Sequence, residues 1–314
     1  MRIIFMGTPD FAVGTLEALI EAGHEVVLAV TQPDKPKGRS GKLQFPPVKE
    51  AAAAHGIEVY QPKKVRDEES IAKLRTYQPD CIVVVAFGQI LPKEILKMPK
   101  YCCVNIHASL LPKYRGAAPI QWAVINGEKI SGVTTMRMDE GLDTGDMILK
   151  EEVELTPEET GGSLFDRLAK VGADLAVKTL QALEDGTAQF TPQNHEEATQ
   201  VGLIKKSFGE LDFQKSAVEL ERLVRGLNPW PSTYTYYKNK TLKIWKAVVR
   251  EGGNSAEAGT AVSLGKNSFG IQTKDGILVP TELQLEGKKR MTTEAFLCGV
   301  QIAAGEPFGR ADSQ

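Results

Sequence analysis

Four short apolar runs rich in β-branched residues, Ile3–Met6, Glu25–Val30, Cys81–Val85 and Cys103–Ile106, alternate with helix-like stretches such as Phe11–Glu21 and Glu68–Tyr77. A run that is apolar throughout, rather than at every second position, fits a strand covered on both faces. Strands alternating with helices make βαβ units, so the pattern predicts an α/β, Rossmann-like domain on a parallel sheet. A further strand is predicted over Gly132–Met138. A long helix is predicted over Ser163–Leu183, ended by Asp185-Gly186 with glycine just past its last turn.

The pattern then changes. Residues 187–206 are polar and aperiodic, as expected of a linker. Beyond them one helix (Ser216–Arg225) precedes short alternating runs at Thr233–Tyr237, Leu242–Val249, Gly259–Val262, Phe269–Thr273 and Ile277–Leu285, the pattern of a small OB-like β-barrel. A chain of 314 residues exceeds the usual size of one hydrophobic core. We therefore expect a catalytic domain over 1–189, a linker over 190–207 and a β-barrel domain over 208–314.

MRIIFMGTPDF carries neither a signal-peptide core nor an Arg-rich transit pattern, and the apolar runs are far short of the roughly 20 residues that cross a bilayer. Cys81, Cys102, Cys103 and Cys298 form no C-x-x-C pair, and three of them lie in or beside apolar runs, as buried thiols in a reducing compartment would. The expectation is a cytoplasmic monomer without membrane association or a metal. The net charge of −2 hides an asymmetry: residues 1–204 hold 22 Lys+Arg against 28 Asp+Glu, and residues 205–314 hold 16 against 12. A positive C-terminal part fits an anionic partner.

Chemistry-bearing residues concentrate in two places. In Val104-Asn105-Ile106-His107 the polar residues alternate with apolar ones, so Asn105 and His107 share a face at the carboxyl end of a strand, where open α/β sheets bind ligands. The loop Asp139-Glu140-Gly141-Leu142-Asp143-Thr144-Gly145-Asp146 follows another predicted strand. Taken alone, the loop also fits a solvated turn, and His107 a structural histidine. The glycine loop Gly7-Thr8-Pro9-Asp10-Phe11 lacks G-x-G-x-x-G, which argues against a dinucleotide.

NIHASLLPKYRGAAPIQWA and MDEGLDTGDM, in that order, resemble the signatures of the formyltetrahydrofolate-dependent formyltransferases. IFMGTPDFA, TQPDKPKGR, VVAFGQILP and RGLNPWP…KIWKA extend the similarity, in its tRNA-specific form, over nearly the whole chain. The resemblance implies transfer of the formyl group of 10-formyltetrahydrofolate to the α-amino group of methionine on initiator tRNA, for translation initiation. In that reaction Asn105 and a protonated His107 donate to the developing oxyanion, while Asp143 pairs with the imidazolium and helps move a proton. Phe87, Gly88, Gln89, Ile90, Leu91, Ser109, Leu110, Leu111, Pro112, Glu140, Gly141 and Leu142 are the implied folate-binding positions. Phe11 is either a methionyl contact or a packing residue.

Residues 32–49 carry Lys35, Lys37, Arg39, Lys42 and Lys49 among four prolines and two glycines. Such a stretch is expected to be an exposed, irregular loop. The resemblance makes it the insertion that grips the tRNA acceptor end, with Lys35, Lys37, Arg39, Lys42 and also Arg115 and Lys206 as implied substrate contacts. At Lys206 the chain departs from the family pattern Y-A-x-K-L-x-K. Residues 201–250 hold ten Lys+Arg against four acids. Trp230, Tyr234, Tyr236, Tyr237 and Trp245 are interleaved there, and are expected in the barrel core. Rival readings are a formyltransferase acting on glycinamide ribonucleotide or an amino sugar, a formyltetrahydrofolate hydrolase, and a non-catalytic RNA-binding protein on the same scaffold.

Overall fold

The computed structural model describes residues 1–37, 42–252 and 256–309. Its contacts divide the chain into two compact units: residues 1–119, 130–154 and 165–201, and residues 120–129, 155–164 and 202–314. The chain runs through β1 (Arg2–Gly7), α1 (Val13–Glu21), β2 (Glu25–Val30), β3 (Lys35–Lys37), β4 (Lys42–Gln44), α2 (Pro47–Ala54) and β5 (Val59–Tyr60). Then come α3 (Glu68–Thr76), β6 (Cys81–Val85), α4 (Lys93–Leu96), β7 (Cys103–His107), β8 (Arg115–Gly116), α5 (Pro119–Ile125), β9 (Ile130–Arg137), β10 (Met147–Glu154), α6 (Gly161–Glu184) and β11 (Gln200–Val201).

The first unit is built on a seven-stranded sheet of order β10-β9-β7-β6-β1-β2-β5. Five strands, β7 through β5 in that order, are parallel. β9 runs antiparallel to β7, and β10 antiparallel to β9, so the sheet expected to be parallel is mixed. An antiparallel partner needs only a short connection, which the 138–146 loop supplies. β10, MILKEEVE, has an acidic, largely exposed pattern that hides it from a search for apolar runs and blunts the sheet edge. Every residue of β6 is buried, as its uninterrupted apolar sequence requires. Ile4, Met6, Leu28, Val30, Ile82 and Val84 share one core with Val65, Leu74, Phe87 and Leu91. Each such burial contributes about 1.5–3 kcal/mol.

The 32–49 segment is more regular than its prolines imply. β3 and β4 pair antiparallel, from Lys35 opposite Gln44 to Lys37 opposite Lys42, and α2 begins at Pro47. Proline is tolerated at an edge or the first turn of a helix, the positions it takes here. Arg39 lies outside the described residues.

In the second unit, α7 (Ala217–Gly226) is opened by a capping box between Ser216 and Glu219 and buries Leu220, Leu223 and Val224. There follow β12 (Thr233–Tyr237), β13 (Lys240–Arg250), β14 (Ala261–Ser263), β15 (Phe269–Gln272), β16 (Ile277–Leu285), β17 (Met291–Thr292) and α8 (Thr293–Leu297). The strands form an antiparallel sheet of order β12-β13-β16-β15-β14, with β17 on β16, an OB-like half-barrel. Of the five interleaved aromatics only Tyr237 is in the core, beside Phe308, which stacks on Phe269. Trp230 is 54% exposed, and the Trp245 ring has the cationic ends of Lys243 and Arg290 over it, 5.3 and 4.9 Å from its centroid. Among the described residues no helix is long and apolar enough to cross a membrane.

Candidate functional site

Asn105 and His107 stand two residues apart on β7, a strand held between β6 and β9, so the spacing of their side chains is set by the sheet. Asp143 comes from the loop joining β9 to β10, with a left-handed backbone (φ 54°). Its carboxylate lies between the other two side chains. Asn105 Nδ2 donates towards Oδ1 at 3.5 Å, and His107 Nδ1 is 3.7 Å from Oδ2. The backbone N–H of Gly116 donates to Oδ2 at 2.8 Å. His107 and Asp143 are largely buried, with side-chain exposures of 7% and 13%.

His107 Nε2 is 2.9 Å from the carbonyl oxygen of Tyr114. A carbonyl only accepts, so Nε2 carries a hydrogen and Nδ1 is the nitrogen free to gain or lose one, on the side of Asp143. The other acids of the loop have different partners. Asp139 accepts from the Gly141 N–H (3.0 Å) and the Thr144 hydroxyl (2.7 Å), Glu140 pairs with Lys93 (3.2 Å), and Asp146 pairs with Arg137. Asp143 is left as the carboxylate facing the strand-end pair.

The segments implied to cradle a folate flank this point. The Lys93–Glu140 ion pair brings the end of the 87–93 segment to the acidic loop. Ile90 and Leu142 are 81% and 61% exposed, unusual for large apolar side chains and suited to cover a flat ring. Phe87 and Leu91 turn into the core, and the carbonyl of Phe87 accepts from the Thr8 hydroxyl (3.2 Å) and from Gln32 Nε2 (3.1 Å). Gln89 is tied to the backbone of Val65 and Pro62, so it braces the loop rather than facing outwards. Gly88 and Gly141 contribute backbone to the same two loops. Among Ser109, Leu110, Leu111 and Pro112, Ser109 donates to the carbonyl of Lys113 (2.6 Å), and Thr134 ties this turn to β9 through Ser109 O (2.7 Å) and Leu111 N (3.1 Å). The ammonium of Lys150 donates to Leu111 O, and burial pulls its pKa below the ordinary lysine value.

The implied substrate contacts divide. Lys35 and Lys206 are exposed. Phe11 is 6% exposed and packs edge-on against Phe165 with centroids 5.1 Å apart, which satisfies its packing role. Arg115 requires a correction: instead of reaching outwards it is 4% exposed, its guanidinium donating to Gln193 Oε1 at 3.0 and 2.7 Å and lying 3.2 Å from His195 Nδ1.

Gln193 was not legible as a site residue. It lies in the stretch read as a linker, yet it is 5% exposed, and its Nε2 donates to the carbonyl oxygens of Asp143 and Gly145, each at 2.8 Å. The same stretch lies along residues 114–117: Thr199 Oγ1 accepts from Tyr114 N–H, Thr199 O from Arg115 N–H and Val201 O from Ala117 N–H. Gly116, with φ 101°, has no room for a side chain, since a Cβ would stand 2.4 Å from Val201 O. The only hint in the sequence is the uncharged Pro192-Gln193-Asn194 within a hydrophilic stretch. Among the described residues no group of His, Cys, Asp or Glu gathers to hold a metal ion.

Both parts of the chain, the mixed α/β sheet and the OB-like half-barrel, fall within known family models. Residues 1–180 match the model of the formyl transferase family, and residues 203–301 that of the formyl transferase C-terminal domain. The chain belongs to the formyl transferase family. It is 61% identical over 308 residues to a methionyl-tRNA formyltransferase of Agathobacter rectalis, covering 98% of this chain and 99% of that one. It is 60% identical over 314 residues to the methionyl-tRNA formyltransferase of Lachnospira eligens, covering 98% and 100%. In fold it is similar to the sugar 3N-formyl transferase WlaRD (TM-score 0.66, 21% identity, 92% of this chain and 99% of that one). It is also similar to HypX of Aquifex aeolicus in complex with tetrahydrofolic acid (TM-score 0.61, 19% identity, 99% of this chain and 50% of that one).

Proposed function

We infer that the chain transfers the formyl group of 10-formyltetrahydrofolate to the α-amino group of methionyl initiator tRNA, supplying formylmethionyl-tRNA for translation initiation in the cytoplasm. The observation that carries the chemistry is the convergence of Asn105 Nδ2 and His107 Nδ1 on the two oxygens of Asp143, at 3.5 and 3.7 Å. High identity over the full length to proteins named methionyl-tRNA formyltransferase supports the acceptor.

The folate supplies the formyl carbon. The attacking α-amine needs no strong base, because such groups titrate near pH ~7.7–8.0. As the amine adds, charge grows on the formyl oxygen. Asn105 Nδ2 and a protonated His107 Nδ1 are the two donors held ready for it, and removing one such donor typically costs ~2.7–4 kcal/mol of transition-state stabilisation. Tyr114 O keeps the ring of His107 oriented, so that protonation at Nδ1 points a donor into the site. Asp143 stabilises that imidazolium and accepts the proton shed by the amine for delivery to the departing nitrogen, its Oδ2 fixed by Gly116 N–H while Oδ1 takes the long bond from Asn105.

Exposed Ile90 and Leu142 are assigned to the flat face of the folate, and the basic 32–49 segment with Lys35, Lys37, Arg39 and Lys42 to the acceptor end of the tRNA. The excess of ten Lys+Arg over four acids in residues 201–250 provides further phosphate contacts, Lys206 among them. The enzyme is proposed to act as a monomer. The test is a competition assay in which the purified protein receives 10-formyltetrahydrofolate with charged initiator tRNA, glycinamide ribonucleotide and an amino sugar nucleotide. Formylation of the tRNA alone is expected. Transfer to either small acceptor at equal or greater kcat/KM would reject the assignment, and tRNA binding without any transfer would favour the non-catalytic reading.

A further inference from the structure

We propose that Gln193, gripped by the buried Arg115, is a positioning residue for Asp143, and that the strap carrying it is part of the catalytic apparatus. The proposal rests on the formyl-transfer reading of the site. Asp143 adopts a left-handed backbone (φ 54°), a conformation that aspartate reaches more readily than most residues but that a catalytic position needs held in place. Gln193 fastens that backbone, its Nε2 bridging the carbonyl oxygens of Asp143 and Gly145, each at 2.8 Å.

A glutamine amide can be rotated by half a turn, which would place its oxygen against those two carbonyls. Arg115 removes that alternative. Its Nε and Nη2 both donate to Gln193 Oε1, so the oxygen must face the guanidinium and the amino group must face the loop. No carboxylate pairs with Arg115 among the described residues, although it is 4% exposed. A buried cation without a counter-ion is costly, and here it keeps a polar relay in one orientation. The strap acts at a second point, where its backbone pairs with residues 114–117 and so locates both the Tyr114 carbonyl on His107 and the Gly116 N–H on Asp143.

A position held this way governs turnover more than folate binding, because Gln193 touches the loop backbone rather than the exposed surface of Ile90 and Leu142. The experiment measures formyl transfer in the wild type, Gln193→Ala, Gln193→Met and Gln193→Glu, together with folate affinity and Tm, and repeats Gln193→Met in an Asp143→Ala background. Met keeps the volume and loses both polar ends. Glu keeps the contact to Arg115 but turns an acceptor towards the two carbonyls. All three are expected to lower kcat by about 10–100-fold, the scale of a roughly 1 Å misplacement, with the KM for folate changed by less than about threefold. In the Asp143→Ala background the further loss from Gln193→Met is expected to disappear, since the effect passes through a carboxylate no longer present.

Three outcomes would overturn the proposal: wild-type kcat in Gln193→Met, a loss undiminished in the Asp143→Ala background, or failure of all three variants to fold, which would assign Gln193 to the scaffold. Absence of transfer by the wild type would reject the functional reading instead, so the two failures are distinguishable.

Discussion

Replacing Gly145 by alanine tests whether the placement of Asp143 is limited by the shape of its loop. A Cβ at position 145 would stand 1.8 Å from the carbonyl oxygen of Arg137, a backbone atom of β9 that cannot swing aside. Ordinary contact begins near 3.4 Å, so the loop must retreat by about 1.6 Å, and Asp143 lies two residues away on the moving segment. Its carboxylate makes long approaches of 3.5 Å to Asn105 and 3.7 Å to His107, which such a shift would break. Misplacement by about 1 Å typically costs on the order of 10² in rate. The forced repacking itself should cost ~1–3 kcal/mol of stability, a Tm lowered by several degrees. Steady-state kinetics with charged initiator tRNA and 10-formyltetrahydrofolate, beside a thermal melt, reads both quantities. Gly14→Ala is the control, since nothing stands within 4 Å of a Cβ there. In the first turn of α1 it should raise stability by ~0.4–1 kcal/mol and leave turnover alone. A Gly145→Ala enzyme with wild-type kcat would refute the argument that the loop has no slack.

Other expectations are narrower. Asn105→Ala should lower kcat by about 10²–10³-fold with folate affinity nearly constant, and an equal loss in both would deny it the donor role. In the native protein iodoacetamide at pH 8 should modify Cys298 alone, because Cys81 and Cys103 are buried with strongly raised thiol pKa values and burial pushes Cys102 up to about 11; mass spectrometry showing early modification of any of these three would contradict their packing. Hydrogen bonds from Lys49 to Asp34, from Lys73 to Glu58 and from Ser216 to Glu219 hold these carboxyls below their ordinary values of 3.8, 4.5 and 4.5. Their stabilisation is complete above the unfolded-state values and is lost as pH falls through the lower folded ones, so Tm should decline below about pH 4.5. A Tm flat down to pH 3 would remove these groups from the stability account.

The parts legible in the sequence are those whose signal is local. β1, β2 and β6 announced themselves because strands covered on both faces are apolar almost throughout, and β7 because its apolar residues alternate with Asn105 and His107, a period of two that puts both on one face. β10 did not, since an edge strand such as MILKEEVE can afford Lys150, Glu151 and Glu152. The pairing of β3 with β4 was hidden by Pro36 and by the flanking Pro33, Pro46 and Pro47. The partners that orient the site were illegible for a different reason. Tyr114 O and Gly116 N–H are backbone groups, which every sequence contains. Gln193 lies 50 residues from Asp143, in a stretch whose polarity reads as solvent exposure until the fold surrounds it. Arg115 was assigned to the substrate through the resemblance alone, and nothing local could show its burial, because its partner lies 78 residues away.

Asp143 is the residue on which these contacts converge, so the most direct measurement is the single-turnover rate of formyl transfer in Asp143→Asn. Asparagine tolerates the left-handed backbone and can still accept from Gly116 N–H, so only the negative charge and the proton-accepting capacity are removed. A rate lower by at least about 10²-fold, with folate and tRNA still bound, is the predicted result. Transfer at the wild-type rate would contradict the central claim that this carboxylate organises His107 and carries the proton.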